Sequence, residues 1–271
     1  LDTPISETAI VGAAVGAALA GMRPVADMHF ADFIGVCMDE VFNQMAKVRY
    51  MFGGQCKVPM VLRAPDGIIR SAAAQHSQSV ESWFMHIPGV KVVIPSNPAD
   101  AKGLLKAAIR SDDPVLYFEH KVLFPMKGPV PDGDHIVPIG KANVSRKGKD
   151  VTIVSYSLMM HRALEAADKL AAEGIQAEVI DLRTISPIDK ETIFDSVRKT
   201  KRLVIVHEAV KQGGVGAEIS ALVAEEMIDW LDAPIRRIGA PFVPVPFSPP
   251  LEQLVKISAD HITKTVKEIC R

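Results

Sequence analysis

Short apolar runs alternate with longer stretches of three- and four-residue periodicity along the whole chain, and this alternation sets the fold class. In the second half DVTIVSY, AEVIDL, RLVIVHE and PIRRIGA read as buried strands. Between them Ala163 to Glu173, Asp189 to Lys199 and Gly216 to Trp230 carry helical spacing, and Gly174 stands where the first of these helices should stop. The first half repeats the scheme with RPVADMHF, VPMVLRA, VKVVIP and PVLYFE as strands and helices near Ala9 to Ala20, Met38 to Phe52 and Ala99 to Arg110. Strands alternating with helices predict an α/β fold with mostly parallel sheets. Two such halves predict two doubly wound domains. They are joined through HKVLFPMKGPVPDGDHIVPIGKANVSRKGKD, a segment rich in proline, glycine and charge. The boundary falls near Gly148, with residues 1–148 as one domain, its linker near 120–148, and residues 149–271 as the other.

Composition narrows the partners. The 271 residues carry a formal net charge of -1 with both signs scattered, so there is no basic face for nucleic acid. The three cysteines, Cys37, Cys56 and Cys270, lack CxxC spacing, which argues against a disulfide framework or a zinc site and suits a reducing, cytoplasmic setting. The longest apolar run, Ala9 to Ala20, falls short of the roughly 20 residues a bilayer demands, so no membrane span is expected.

The opening stretch LDTPISETAIVGAAVGAALAG asks for an explanation. Gly12, Ala13, Gly16, Ala17 and Ala20 recur at helical spacing, giving a face with almost no side chains that lets another backbone come close. Glycine inside a helix costs up to about 1 kcal/mol against alanine, so tight packing must compensate. Such a helix packs either on its own sheet or on another subunit, and in both cases it is expected to be buried. Glu7, at its start, can by position alone be no more than an acid offsetting the helix dipole.

The motifs DTPISE, FADFIG, RYMFGG, AAAQHSQS, PGVKVVIPSNPADAKGLLKAAI, DPVLYFEHK and VIDLRTISPID follow one another from the first residue onward. In this series the chain resembles the beta subunits of thiamine-diphosphate-dependent 2-oxo acid dehydrogenases, the decarboxylating components of the pyruvate, branched-chain and acetoin dehydrogenase complexes. The resemblance implies a pyrimidine-binding domain followed by a transketolase-like carboxy-terminal domain. In that family a further segment, carrying the first strand and helix of the pyrimidine-binding domain, precedes DTPISE, so a longer parent chain is expected.

What the resemblance implies for the site is specific. Glu7 matches the carboxylate that draws the aminopyrimidine of thiamine diphosphate into its imino form, a task that calls for a buried, hydrogen-bonded acid. Phe33 in FADFIG matches the aromatic packed on that ring, although taken alone it is as readily a core phenylalanine. His76 in AAAQHSQ matches a histidine that handles protons on the bound intermediate or guides acyl transfer to a lipoyl arm. By itself it reads as a solvated cap at a helix start. Carbonyls around Ala108, Ser111 and Asp113 match a region where some relatives hold a monovalent cation such as potassium.

The sequence contains no GDG followed at a distance by asparagine, the family pattern that holds magnesium and the diphosphate. The resemblance implies that an alpha subunit supplies that half, two alpha and two beta chains building two active sites. It also implies that the carboxy-terminal domain docks a lipoyl-bearing acyltransferase core, with PVPFSPPLE near that surface. QGGVGAE follows a strand and precedes a helix like a phosphate loop but lacks G-x-G-x-x-G spacing, and reads as a tight turn. His161 is expected at a helix start, at a surface or interface. HFADFIGVCMDEVFNQMAKVRYMFGG resembles the acetoin pattern more than the pyruvate or branched-chain patterns. The alternatives kept are those two substrates, a split transketolase carboxy-terminal half, and a noncatalytic scaffold for partners.

Overall fold

The computed structural model describes residues 1–270. Its first half runs α1 (Glu7–Leu19), β1 (Val25–Asp27), a 3₁₀ segment (Ala31–Cys37), a π-helical turn (Glu40–Met45) leading into α2 (Ala46–Met51), β2 (Val61–Asp66), α3 (Glu81–Met85), β3 (Lys91–Val93), α4 (Pro98–Arg110) and β4 (Val115–His120). The second half runs β5 (Asn143–Arg146), β6 (Val151–Ser155), α5 (Leu158–Ala172), β7 (Ala177–Asp181), β8 (Thr184–Ser186), α6 (Lys190–Thr200), β9 (Leu203–Val210), α7 (Val215–Met227), β10 (Arg236–Ala240), α8 (Pro249–Val255) and α9 (Ala259–Ile269).

Two five-stranded sheets result, ordered β1-β2-β4-β3-β8 and β10-β9-β6-β7-β5. All neighbours run parallel except the edge pairs β3–β8 and β5–β7, which are antiparallel. Helices covering both faces explain why β6 and β7 are buried at every position and read as unbroken apolar runs. Capping chemistry sets the helix starts: Asn97 accepts from the Asp100 amide at 2.9 Å with Pro98 at the first helical position, and Ser258 accepts from the His261 amide at 3.2 Å.

The two halves are sewn together. β8 lies in the second half of the sequence, yet Thr184 and Ser186 pair with Val93 and Val92 to complete the first sheet. One hydrophobic core runs through both, joining Ile34, Phe84 and Phe118 to Ile205, Val215 and Ile219. Arg183 grips Asp100 with two bonds of 2.9 and 2.8 Å, and His161, inside α5, makes a 2.7 Å hydrogen bond with the Ser96 carbonyl across the junction.

The helix expected over Met38 to Phe52 is split into its π-helical and α-helical parts. α1 turns only one of its faces to its own half. It buries Val11, Ala14, Val15 and Ala18, while Ala13, Gly16 and Ala20 of the small-residue face are exposed and Gly12 and Ala17 half-buried. The inward face is the one that carries Val11 and Val15, which remove more apolar area from water than the glycines would.

Candidate active site

After β1 the backbone tightens into the 3₁₀ segment, where the Phe33 amide donates to the Phe30 carbonyl at 3.1 Å. A three-residue repeat puts both rings on one side of the turn, with centroids 6.2 Å apart. The His76 ring stands edge-on to both, at 4.9 Å from Phe30 and 5.3 Å from Phe33. Such edge-to-face contacts are worth about 0.5–1.5 kcal/mol beyond burial. Lys121 closes the group, its ammonium 4.8 Å from the Phe30 ring centroid and donating to the His76 carbonyl at 2.6 Å. Burial lowers the Lys121 pKa, opposed by the carboxylates of Asp32, Asp66 and Glu208.

Glu7 begins α1, which packs on the 3₁₀ segment, and the neighbouring Thr8 hydroxyl donates to the Val36 carbonyl at 3.4 Å. Ser6 makes no side-chain cap, so Glu7 itself is the acid facing the helix's positive end. Burial pushes the Cys37 thiol up to about 12, with Glu40 and then Glu7 adding to the effect. Glu7 is thus on an element adjoining the one that carries Phe33, and it is half-buried where the sequence implied full burial. His76 sits in the loop between β2 and α3 and heads no helix, since the next helix starts five residues later at Glu81.

Inward from this cluster lies a group that sequence reasoning missed. Asp66, Glu81, His120 and Glu208 are at most 9% exposed, and they meet where the two halves join. The Val122 amide donates to His120 Nδ1 at 3.2 Å, so the neutral ring carries its proton on Nε2 and donates it to Glu208 at 2.7 Å. Glu208 also accepts from the Ile68 amide at 2.8 Å, and the Tyr156 hydroxyl donates to Glu81 at 2.6 Å. One oxygen each of Asp66 and Glu81 is buried without a partner. Burial, opposed by His120 and Lys121 but reinforced by Glu81 and Glu208, pushes the Asp66 carboxyl up to about 8. One signal could have found the group: Asp66, His120 and Glu208 stand at the carboxyl ends of their strands, where open α/β sheets place their chemistry.

The other candidates disperse. The Ser111 carbonyl accepts from Arg23 at 2.9 Å, as does that of Ile109 at 3.1 Å, and the Ala108 carbonyl accepts from the Ser111 amide at 3.1 Å. The Asp113 carboxylate pairs with Arg49 and Lys91. The Ile109, Ser111 and Asp113 oxygens are thus engaged by side-chain cations and the Ala108 carbonyl by a backbone amide. Among the described residues no group of three or more His, Cys, Asp or Glu is placed to hold a metal. QGGVGAE forms the turn into α7, and Pro244 and Val245, the first residues of PVPFS, line a groove of about 640 Å³ together with Gln75, Ser77, Trp83, Phe242 and Val243.

Comparison with known proteins bears on this arrangement. The family described as "Transketolase, pyrimidine binding domain" matches residues 1–127, and "Transketolase, C-terminal domain" matches residues 140–262. The beta subunit of acetoin:2,6-dichlorophenolindophenol oxidoreductase from Cupriavidus necator is 54% identical over 99% of this chain and 79% of its own length. The chain belongs to the beta subunits of the thiamine-diphosphate-dependent acetoin and 2-oxo acid dehydrogenases. The 2-oxoisovalerate dehydrogenase beta subunit of Bacillus subtilis, 45% identical over 99% of this chain and 83% of its own, and pyruvate dehydrogenase E1 beta subunits match as well. In structure, a split gene transketolase, an inactive beta4 tetramer, superposes with a TM-score of 0.83 at 26% identity over 100% of this chain and 83% of that one. For a family member the residues present fit half of the cofactor. A half-buried carboxylate and an aromatic on adjoining elements suit the pyrimidine, whereas among the described residues no group of three or more His, Cys, Asp or Glu is placed for the metal. No helix among the described residues is long and apolar enough to cross a membrane.

Proposed function

We propose that this beta subunit supplies the pyrimidine half of an active site completed by an alpha subunit, and that the assembled cytoplasmic component cleaves acetoin and passes the acyl group to a lipoyl arm of an acyltransferase core. The observation that carries the site is the edge-on packing of His76 against Phe33, on the segment adjoining the helix that Glu7 begins. Bound thiamine diphosphate supplies a carbanion at its thiazolium ring. With the cofactor bound, Glu7 would hold a proton at the aminopyrimidine ring nitrogen, and Phe33 would cover that ring and keep water from it. His76 would give or take a proton at the reacting substrate, while the Lys121 bond to its carbonyl keeps the imidazole in place.

An alpha chain provides magnesium, and the exposed apolar rim of the first half suits such a partner: Val36, Phe42, Tyr50, Met51 and Phe52 all face outward. The apolar groove beside the His76 loop suits the approach of an aliphatic lipoyl arm. Higher identity to the acetoin subunit, 54% against 45% for the 2-oxoisovalerate and 47% for a pyruvate dehydrogenase subunit, favours acetoin over the branched-chain and pyruvate alternatives. The test is dye-coupled turnover of the beta chain reconstituted with its alpha subunit, thiamine diphosphate and magnesium, on acetoin, pyruvate and a branched-chain 2-oxo acid. Preference for acetoin supports the assignment, and preference for either oxo acid replaces it.

A further inference from the structure

The loop that carries His76, residues 67–80, is held from the other half of the molecule. It is irregular and locally disfavoured, with the non-glycine residues Ser71 and Ala73 in the left-handed region at φ 56° and 57°. Backbone of this kind persists only where the surroundings over-determine it. Four side chains do so. Asp32 accepts from the Gln78 amide at 3.1 Å, and Lys121 donates to the His76 carbonyl at 2.6 Å, both from the pyrimidine-binding half. The other two are carboxylates of the carboxy-terminal half: Glu208 of β9 accepts from the Ile68 amide, and Glu252 of α8 accepts from the Ser71 amide, each at 2.8 Å.

Glu252 is the unexpected one. It is fully buried although it sits in a seven-residue helix, and the proposed chemistry gives it no task. Burial alone would raise its pKa, but Lys256, the Ser71 amide and Arg70 outweigh that and hold it lowered. A buried carboxylate kept ionised beside a strained loop amide forms a charge-assisted hydrogen bond, roughly twice as strong as a neutral one.

We propose that Glu252, aided by Glu208, is a positioning residue that locks the His76 loop, so that the carboxy-terminal half sets the placement of an active-site histidine it does not itself contain. The link to catalysis rests on the reading of His76 given above, whereas the bracing of the loop does not.

The experiment compares Glu252→Ala, Glu252→Gln, Lys256→Gln and His76→Ala in the complex reconstituted with the alpha subunit. Amide hydrogen exchange is followed over residues 68–79, together with kcat and KM for acyl transfer to a lipoyl acceptor. Glu252→Ala is expected to speed exchange of the segment about tenfold and to lower kcat with KM little changed. Glu252→Gln, whose side-chain carbonyl can still accept from Ser71, should recover most of both losses, and Lys256→Gln should leave loop exchange near the parent's. Unchanged exchange in Glu252→Ala overturns the proposal. So does a Glu252→Gln variant as defective as Glu252→Ala, because the effect would then belong to the Lys256 pair and the stability of α8. If Glu252→Ala fails to fold, the Glu252→Gln and Lys256→Gln pair decides: exchange measurably faster in Glu252→Gln, which loses the charge assistance, with Lys256→Gln near the parent's supports the brace, and Glu252→Gln at the parent's rate or Lys256→Gln loosening the loop as much overturns it. Faster loop exchange with His76→Ala at full turnover upholds the brace and removes the catalytic reading of His76.

Discussion

At the scale of single residues the decisive contacts are those that a one-atom change can test. Glu7→Gln keeps the shape of a half-buried side chain at the start of α1 and removes its ability to exchange a proton. The reconstituted Glu7→Gln enzyme is therefore expected to lose most of its turnover, on the order of 100-fold, while its thermal midpoint stays near the parent's. Near-normal turnover would remove Glu7 from the mechanism. Gly67 is a second such position. It has φ +81°, and a Cβ built on it would lie 2.1 Å from His120 Nε2 and 2.8 Å from Glu208 Oε2. Left-handed backbone costs a non-glycine residue about 1–2 kcal/mol, and overpacking adds about 1–3 kcal/mol. Gly67→Ala should thus destabilise the chain by about 3 kcal/mol in denaturant unfolding, and a loss below about 0.5 kcal/mol would mean that the His120–Glu208 pair moves aside freely.

Among elements, the strand ends of β2, β4 and β9 concentrate buried charge, and this makes a pH-dependent signature. Asp66, facing Glu81, Glu208, His120, Lys121 and Tyr156, has a folded pKa raised to about 8, so the folded chain keeps a proton that the unfolded chain releases near pH 4. Stability must then fall as pH climbs through that window and level off above it, because the folded state binds the extra proton. Asp66→Asn cannot ionise. Its stability advantage over the parent should grow from pH 5 to pH 8 in denaturant unfolding, and an advantage that does not change with pH would show that Asp66 is ionised in the fold. Strands β6, β7 and β9 were legible in the sequence because burial on both faces writes itself as unbroken apolar residues. β8 was not, since three residues, Thr184 to Ser186, carry no periodicity and their partner β3 lies some ninety positions earlier. Phe33, His76 and Glu7 were singled out through motifs, and the structure brings the first two into contact. Glu208 and Glu252 escaped notice because LVIVHEAV and PPLEQLV look like an ordinary strand and an ordinary first helical turn. Only tertiary packing reveals that their carboxylates hold loop amides.

For the whole molecule, the consequence of β8, the shared core and the Arg183–Asp100 grip is that the two halves should unfold together. Each half carries one tryptophan, Trp83 in α3 and Trp230 just beyond α7, both near half exposed, so each can report on its own surroundings. The variants Trp230→Phe and Trp83→Phe isolate the two signals without touching the core. If the junction is as continuous as the packing indicates, denaturant transitions read from Trp83 and from Trp230 will coincide in midpoint and slope. Arg183→Ala tests what holds them together. It leaves Asp100, 4% exposed at its side chain, without its cation and with only the Asn97 amide as a side-chain donor, and breaking a buried pair in this way costs about 3–5 kcal/mol. That loss should appear equally at both tryptophans if the halves form one cooperative unit. A first half that melts ahead of the second, in the parent or in Arg183→Ala, would instead make the junction a hinge. The carboxylates of Glu208 and Glu252 would then steer the His76 loop only while that hinge stays closed.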